Sequence, residues 1–266
     1  MHVEILNLLK TQFQGKESPF AFRALACLGW MNEKGQADLN SLGFSNVLVK
    51  CIRTFSESAT FITEASYALC GVFDGNKEET KNICAESPTG EKLVLDILLD
   101  AVNKNPENAR LAAKVSLAVG SMAFAKEVPE QVLQDKKTQR WKTLVSIYKT
   151  HRKDEETVMW ISYAIMNHLN MTTNAQRVEA ISKFEELVPL VWCDIKHLHT
   201  NDQASYFMGF FAHLVSLPEM MKKFVDEPST FQMVFDICCR FKCEMKYLRM
   251  LCPIELRMAS TPTGHL

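Results

Sequence analysis

Hydrophobic residues along this chain recur at intervals of three and four positions, the spacing that places them on one side of an α-helix. Amphipathic segments of this kind cover residues 47–55, 93–102, 141–148, 187–195 and 231–241. A second kind of segment, in which small and apolar residues follow one another closely, covers residues 21–28, 65–72, 113–120, 161–168 and 204–211. The alternation expected of a half-buried strand is missing. The pattern predicts an all-α fold with two major helices in each repeating unit.

The small-residue segments recur at a nearly constant interval. Their central positions are Leu25, Leu69, Leu117, Ile165 and Met208. Successive centres therefore lie 43 to 48 residues apart. Self-similarity at this period is typical of armadillo and HEAT repeats, in which each unit buries its apolar face only by stacking on the next. We predict an armadillo/HEAT-like α-solenoid, a right-handed superhelix of about five helical repeats, over residues 1–257, followed by a flexible C-terminal tail at 258–266.

Candidate helix starts are marked by residues that cap an N-terminus. Asn105-Pro106 places a capping residue before a proline suited to the first helical position, and Ser18-Pro19 repeats that arrangement. Asp154 and the pair Asn201-Asp202 supply capping side chains elsewhere. The sequence thus predicts that helices begin close to these positions.

The charge of the chain is nearly balanced, with 30 basic and 31 acidic residues and a net charge of −1. This balance does not favour nucleic acid or an anionic membrane surface as a partner. No segment reaches the roughly 18 apolar residues that span a bilayer, so no membrane association is predicted. Nine cysteines, an odd number, lie mostly in apolar helical runs, which is typical of a reducing compartment. We expect a cytoplasmic or nuclear protein in which Cys27, Cys70 and Cys238 are unbridged.

Motifs that carry chemistry are scarce. The sequence has no phosphate-binding glycine loop, no nucleophile elbow and no CxxC or H-E-x-x-H motif, so we predict neither an enzyme nor a cofactor. Cys193, His197 and His199 form the best candidate for a zinc site, but structural roles are the favoured interpretation and no metal is predicted. Core packing is expected for a further cysteine cluster and for two tryptophans: Cys238, Cys239, Cys243, Trp141 and Trp192.

The recurring segments resemble the groove-lining helix of importin-α and β-catenin, armadillo proteins in which a tryptophan and an asparagine four residues later face a peptide. The aromatic position corresponds here to Arg23, Tyr67, Val115, Tyr163 and Tyr206. The asparagine position corresponds to Cys27, Gly71, Val119, Asn167 and Phe210. The resemblance implies a concave, aromatic-lined peptide surface formed by Tyr67, Tyr163, Tyr206 and Asn167. Alternatively, the three tyrosines are half-buried helix residues without a ligand.

A more specific resemblance is carried by the segments Ala68-Leu-Cys-Gly-Val-Phe-Asp74 and Tyr206-Phe-Met-Gly-Phe-Phe-Ala-His-Leu214. These segments are similar to the armadillo domain of the Zyg-eleven family, whose members are substrate receptors of cullin-two RING ubiquitin ligases and read N-terminal degrons that begin with glycine. The family's tryptophan and asparagine fall on Cys70 and Gly71, whereas its aspartate falls on Asp74. The resemblance implies that Asp74 binds a positive group such as a free α-amine. Alternatively, Asp74 caps the turn that follows it.

The same resemblance implies a non-enzymatic protein- or peptide-binding armadillo module, a substrate-recognition part related to a cullin-two RING ligase adaptor. Elongin and cullin-two components are then expected to bind through a missing or separate region. The alternative is a general armadillo scaffold for transport or cytoskeletal partners, without a role in ubiquitin conjugation.

Overall fold

The computed structural model describes six stretches of the chain and eight isolated residues. The stretches are residues 43–73, 92–125, 127–133, 139–172, 174–194 and 201–215. The isolated residues are Lys34, Ala37, Ser41, Gln232, Asp236, Ile237, Cys239 and Arg240. All regular secondary structure in this part of the chain is helical, which confirms the prediction of an all-α fold.

The chain divides into two compact units, Met1–Met171 and Thr172–Leu266. The described helices of the first unit are α1 (Phe44–Thr54), α2 (Ala59–Phe73), α3 (Val94–Lys104), α4 (Ala109–Met122), α5 (Glu127–Leu133), α6 (Arg140–His151) and α7 (Glu155–Met171). Those of the second unit are α8 (Asn174–Ser182), a 3-10 turn (Glu185–Leu187), α9 (Val188–Asp194) and α10 (Asn201–Leu214). The single array proposed over residues 1–257 stays a prediction.

Four of the five small-residue segments lie inside described helices. These helices are α2, α4, α7 and α10, and the side chains at their predicted centres are at most 2% exposed: Leu69, Leu117, Ile165 and Met208. Leu25 lies outside the described residues. The short helices α5 and α8, which follow α4 and α7, were not predicted.

In the first unit, α4 packs between α2 and α7. Small residues make this possible, because Ala112, Ala113, Ala118 and Gly120 on α4 leave room for neighbouring backbones to approach closely. The amphipathic helices α1, α3 and α6 form a second row in which each contacts the next, and each also packs on its small-residue neighbour. Burial of two rows against each other gives the unit its core.

A side chain caps the N-terminus of each of the described small-residue helices of this unit, α2, α4 and α7. Ser58 Oγ accepts a hydrogen bond from the Phe61 amide, Asn108 Oδ1 from the Leu111 amide, and Asp154 Oδ1 from the Thr157 amide, at 3.3, 3.0 and 2.8 Å. Each cap satisfies an amide that has no partner within its helix. The Asp154 cap was predicted from the sequence.

The predicted start at Asn105-Pro106 is wrong by one turn. Asn105 ends α3, and its Nδ2 donates to the Ala101 carbonyl at 2.9 Å. The Asn108 amide then donates to the Asn105 carbonyl at 3.0 Å, which closes a turn around Pro106. Helix α4 therefore begins only after Asn108, because the Asn105 side chain is already bonded to the preceding helix.

Hydrogen-bonded side-chain pairs join neighbouring helices at a regular sequence interval. Lys104 contacts Glu57, Arg110 contacts Glu64, Arg140 contacts Asp96, and Lys114 contacts Glu156. The partners are 42 to 47 residues apart. The separation of these bonded partners is therefore close to the interval of 43 to 48 residues at which the small-residue segments recur.

Candidate functional site

One side of the α2, α4 and α7 row carries charged and aromatic residues in place of apolar ones. We call this surface the α2–α4–α7 face and define it by Glu64, Tyr67, Arg110, Lys114, Glu156, Trp160 and Tyr163. Within each helix these positions are three or four apart, so their side chains emerge on the same side. Contacts between the three helices connect these side chains into one surface.

Lys114 lies at the centre of the face and connects all three helices. Its Nζ is 2.5 Å from Glu156 Oε1 on α7 and 4.9 Å from the ring centroid of Tyr67 on α2. The lysine therefore combines an ion pair with a cation–π contact. The Lys114 side chain is 19% exposed and that of Glu156 is 49% exposed, so water screens the pair and its contribution is about 0.2–1 kcal/mol.

A second ion pair extends the face towards the start of the helices. Arg110 Nη2 is 2.5 Å from Glu64 Oε1, and the Arg110 side chain is 61% exposed. Glu64 is 12% exposed, whereas Arg110 and Glu156 are 61% and 49% exposed, so a ligand that brings its own charge reaches Arg110 and Glu156 most readily. The face therefore has negative groups on its outer helices, Glu64 on α2 and Glu156 on α7. The two positive groups, Arg110 and Lys114, lie on α4 between them.

An aromatic pair completes the face on α7. The rings of Trp160 and Tyr163 are 5.9 Å apart and nearly perpendicular, at 83°. Tyr163 also lies directly on Gly120 of α4: a Cβ atom added to that glycine would be 2.5 Å from Tyr163 Cδ1. The missing side chain of Gly120 is therefore what lets the tyrosine ring lie against α4.

Asn167 and His168 occupy the buried side of the same contact. Asn167 is 5% exposed, and its Nδ2 donates to the Gly120 carbonyl at 3.2 Å. His168 is fully buried, and burial lowers its pKa from 6.5 to about 3 while a hydrogen bond with the Val119 backbone acts in the opposite direction. Both residues hold α7 against the last turn of α4. A peptide could reach the Asn167 amide only after that bond to Gly120 opened.

The predicted binding residues divide between the two units. Tyr67 and Tyr163 are half-buried on α2 and α7, the two helices that flank α4. Tyr206 is half-buried on α10 in the second unit, and Asp74 lies outside the described residues. The peptide-binding roles of Tyr67, Asp74, Tyr163, Asn167 and Tyr206 stay predictions.

The exposed residue of α4 was not among the binding residues predicted from the sequence. Val115, assigned to the aromatic position, is 0% exposed, and the neighbouring Lys114 is the side chain that reaches Tyr67. Trp160 was missed as well, although it lies one turn before Tyr163 on the same side of α7. An aromatic residue three positions before the assigned one is the signal that could have identified it.

The other candidate residues differ in outcome: Cys193, Cys239 and Trp141 depart from the expected packing, whereas Cys70 is an unbridged thiol as predicted. The Cys193 and Cys239 thiols are exposed and not packed in a core. Trp141 is only half-buried, with Lys142 Nζ 5.8 Å from its ring centroid. Cys70 is a buried free thiol whose Sγ donates to the Ser66 carbonyl at 3.2 Å. The remaining candidates lie outside the residues whose side chains are described: Cys27, Trp192, His197, His199, Cys238 and Cys243.

Within the described stretches, no three His, Cys, Asp or Glu side chains are grouped closely enough to hold a metal ion. None of the helices described above combines the length and the apolar character needed to cross a bilayer. No protein-family model, curated protein or solved structure matches this chain. The function is therefore inferred from the α2–α4–α7 face and from the residues that resemble armadillo proteins.

Proposed function

We propose that this chain is a non-enzymatic protein- or peptide-binding module of the armadillo/HEAT-like type, a right-handed α-solenoid of about five repeats. Two rows of helices, α1–α3–α6 and α2–α4–α7, support this architecture within the first unit. The short helices α5 and α8 support it as well, because each follows a small-residue helix at the same point of the repeating pattern. Contacts between residues 42 to 47 positions apart are what stacked repeats of this length require.

The α2–α4–α7 face is the proposed binding surface, and the Trp160–Tyr163 pair is the observation that carries the proposal. Two half-buried aromatic rings provide a large contact area with few rotatable bonds, which is why tryptophan and tyrosine dominate the binding energy of many interfaces. Each flanking ion pair has one exposed partner, Glu156 in the pair with Lys114 and Arg110 in the pair with Glu64, and this partner can meet a charge on a ligand.

The ligand is proposed to be an extended peptide segment that crosses α7, α4 and α2. An apolar or aromatic side chain of the peptide packs on Trp160 and Tyr163, and charged side chains on either side exchange with Lys114 and Glu156. This arrangement follows the general division of interfaces into an apolar centre and a polar rim.

The biological context proposed for this binding is substrate recognition in ubiquitin conjugation, through the resemblance to the Zyg-eleven family. A pull-down from cell extract separates this role from that of a general scaffold. Elongin or cullin-two among the captured proteins supports the ligase role. Transport factors or cytoskeletal proteins in their place support the scaffold.

The binding proposal itself is tested with peptides selected from a random library on the full chain. Trp160→Ala is expected to weaken the selected peptides at least tenfold, since truncating an aromatic anchor costs about 2 kcal/mol or more. Trp141→Ala is the matched control, because Trp141 is also half-buried but lies on α6, outside the face. Peptides that bind the Trp160 variant normally, or that lose binding equally in both variants, contradict the proposal.

A further inference from the structure

A groove that shares no residue with the α2–α4–α7 face lies between the α1–α2 turn and helix α3. Its volume is about 310 Å³. Most of its lining is ionic or polar: Arg53, Ser56, Glu57, Lys92, Asp100 and Lys104. Three of these side chains are positive and two are negative, so the groove has an excess of positive charge.

The ion pairs inside the groove are exposed and can therefore exchange partners. Lys104 Nζ contacts both Glu57 carboxylate oxygens, at 2.6 and 2.7 Å, with side chains 55% and 76% exposed. Lys92 pairs with Asp100, and both side chains are about half exposed. Pairs at this level of exposure contribute little to stability. An anion of higher charge than a carboxylate can therefore replace Glu57 and Asp100 as the partner of the two lysines.

The three hydroxyl groups near the turn differ in availability. Thr54 Oγ1 donates to the Lys50 carbonyl at 2.9 Å, and Ser58 Oγ caps α2. Ser56 lines the groove, and its hydroxyl has no hydrogen-bond partner among the described residues. Of the three, Ser56 alone has a hydroxyl that is not already committed to the backbone.

We propose that Ser56 is a phosphorylation site and that this groove holds the phosphate. In the reaction, the Ser56 oxygen forms a bond to the γ-phosphorus of ATP, the bond to ADP breaks, and the hydroxyl proton passes to the kinase. Arg53 precedes Ser56 by three positions, so the acceptor carries a basic neighbour that complements a kinase with an acidic substrate cleft. Ser56 lies in the turn, outside both flanking helices, and Arg53 lies in the last turn of α1.

The groove suits a phosphate for electrostatic reasons. A phosphoserine carries a charge of about −1.5 to −2 and three strong acceptor oxygens. The phosphate competes with Glu57 for Lys104 and with Asp100 for Lys92. The N-terminus of α2, which carries a partial positive charge, is a further favourable partner. Charge-assisted hydrogen bonds to these groups would tie the α1–α2 turn to α3, the next amphipathic helix of the row.

The first arm of the test asks whether the folded chain is a substrate. The full chain and a peptide covering residues 50–60 are incubated with ATP and serine kinases that favour basic substrates, and the modified residue is mapped by tandem mass spectrometry. Incorporation is expected at Ser56 in both, and Ser56→Ala is expected to abolish it. Incorporation only at Thr54 or Ser58, or none in the folded chain, overturns the proposal.

The second arm asks whether the groove holds the phosphate, using phosphoserine installed genetically at position 56. The second pKa of phosphoserine is ordinarily about 6, and neighbouring cations lower it because they stabilise the dianion. A phosphorus NMR titration should therefore give a lower pKa, which returns towards 6 in Lys104→Gln and in Lys92→Gln. Lys142→Gln, an exposed lysine outside the groove, should leave it unchanged.

The melting temperature of the phosphorylated chain gives an independent reading. It is expected to rise by about 2–4 °C relative to the unmodified chain, and the rise should shrink in Lys104→Gln. A phosphate that titrates like free phosphoserine in all variants would show that the groove is not its binding site. A melting temperature that falls on phosphorylation would show the same.

Discussion

Helices α4 and α7 occupy equivalent positions in the repeating pattern and pack against each other, yet they expose very different surfaces. Between Leu111 and Met122, every side chain of α4 except Lys114 is buried. Helix α7 is buried on one side but presents Glu156, Trp160 and Tyr163 on the other. Because α4 packs between two helices, nearly all its residues must be small or apolar. Helix α7 has one side that is free of this restriction and can carry residues that bind a ligand.

The contact between the two helices is the point at which this difference can be tested. Asn167 and His168 of α7 bond to the last turn of α4, while Tyr163 lies on the α4 backbone at Gly120. The buried side of α7 therefore determines stability, and its exposed side is proposed to determine binding. Each variant below separates these two roles.

The largest expected effect concerns pH. Burial lowers the pKa of His168 to about 3 in the folded chain, whereas in the unfolded chain the ring binds a proton below about 6.5. Stability is therefore complete above that pH and falls as the pH decreases towards 3. At about 1.4 kcal/mol for each pH unit, the total loss is on the order of 5 kcal/mol. Urea unfolding of the wild type and of His168→Gln, from neutral to mildly acidic pH, measures it.

The control for this prediction is a second buried histidine. His213 lies on α10 in the other unit, and burial lowers its pKa to about 4. His213→Gln should leave the pH dependence of the first unit intact, as followed by a probe on α7. Parallel pH profiles for the wild type and for His168→Gln would show that this histidine does not control the stability of the contact.

The next effect is steric. Gly120→Ala places a Cβ atom 2.5 Å from Tyr163 Cδ1 and 3.0 Å from the Ala164 backbone, and overpacking of this kind costs about 1–3 kcal/mol. The helix propensity of alanine offsets up to about 1 kcal/mol of that cost. Thermal unfolding of Gly120→Ala, Tyr163→Ala and the double variant forms a cycle. The cost of the alanine should shrink when the tyrosine is absent; equal costs in both backgrounds would contradict the contact.

The capping residues should differ in a predictable order. Asp154 Oδ1 accepts from both the amide and the hydroxyl of Thr157, at 2.8 and 2.6 Å, whereas Asn108 accepts from the Leu111 amide. We expect Asp154→Ala to cost about 1–2 kcal/mol and Asn108→Ala about 1 kcal/mol. Chemical denaturation of the two variants provides the comparison, and the reverse order would show that the second bond of Asp154 adds nothing.

The effect on stability expected at Lys114 is no larger than that of the Asp154 cap and differs from it by depending on salt. Lys114→Gln removes one exposed ion pair and one cation–π contact, which together contribute about 0.5–2 kcal/mol. The loss should decrease with added salt, because the ion pair is screened. Denaturation at low and high salt measures this dependence, and a loss that does not change with salt would place the effect in packing instead.

The sequence predicted the long helices and failed on shorter features for identifiable reasons. The helices α2, α4 and α7 contain 14 to 17 residues, and each includes a small-residue segment that recurs at a nearly constant interval, so they could be recognised. Helices α5 and α8 contain 7 and 9 residues, too few for a clear apolar period, and α5 contains Pro129 in its first turn. The cap of α4 is Asn108 and not the predicted Asn105, because the Asn105 side chain bonds to the preceding helix, a contact that the sequence does not show.

The candidate site was only partly predictable. Tyr67 and Tyr163 followed from an alignment of the recurring segments, but α4 is apolar on nearly every side, so the apolar period did not identify Lys114 as its exposed position. Gly120 leaves room for Tyr163 because α7 approaches α4 closely at this residue. The sequence around Gly120 does not show that approach. The partners of Lys114 lie 47 and 42 residues away, on two different helices.

Binding at the exposed side of α7 is the central claim, and the indole resonances of the four tryptophans test it most directly. In a nitrogen-15 correlation spectrum, each indole signal is assigned by a single tryptophan-to-phenylalanine variant, and a selected peptide is then titrated into the full chain. If the peptide binds at Trp160, the Trp160 signal shifts and saturates with the peptide while the Trp141 signal stays in place. A Trp160 signal that does not move as the peptide binds, with shifts at Trp141 instead, would contradict this claim.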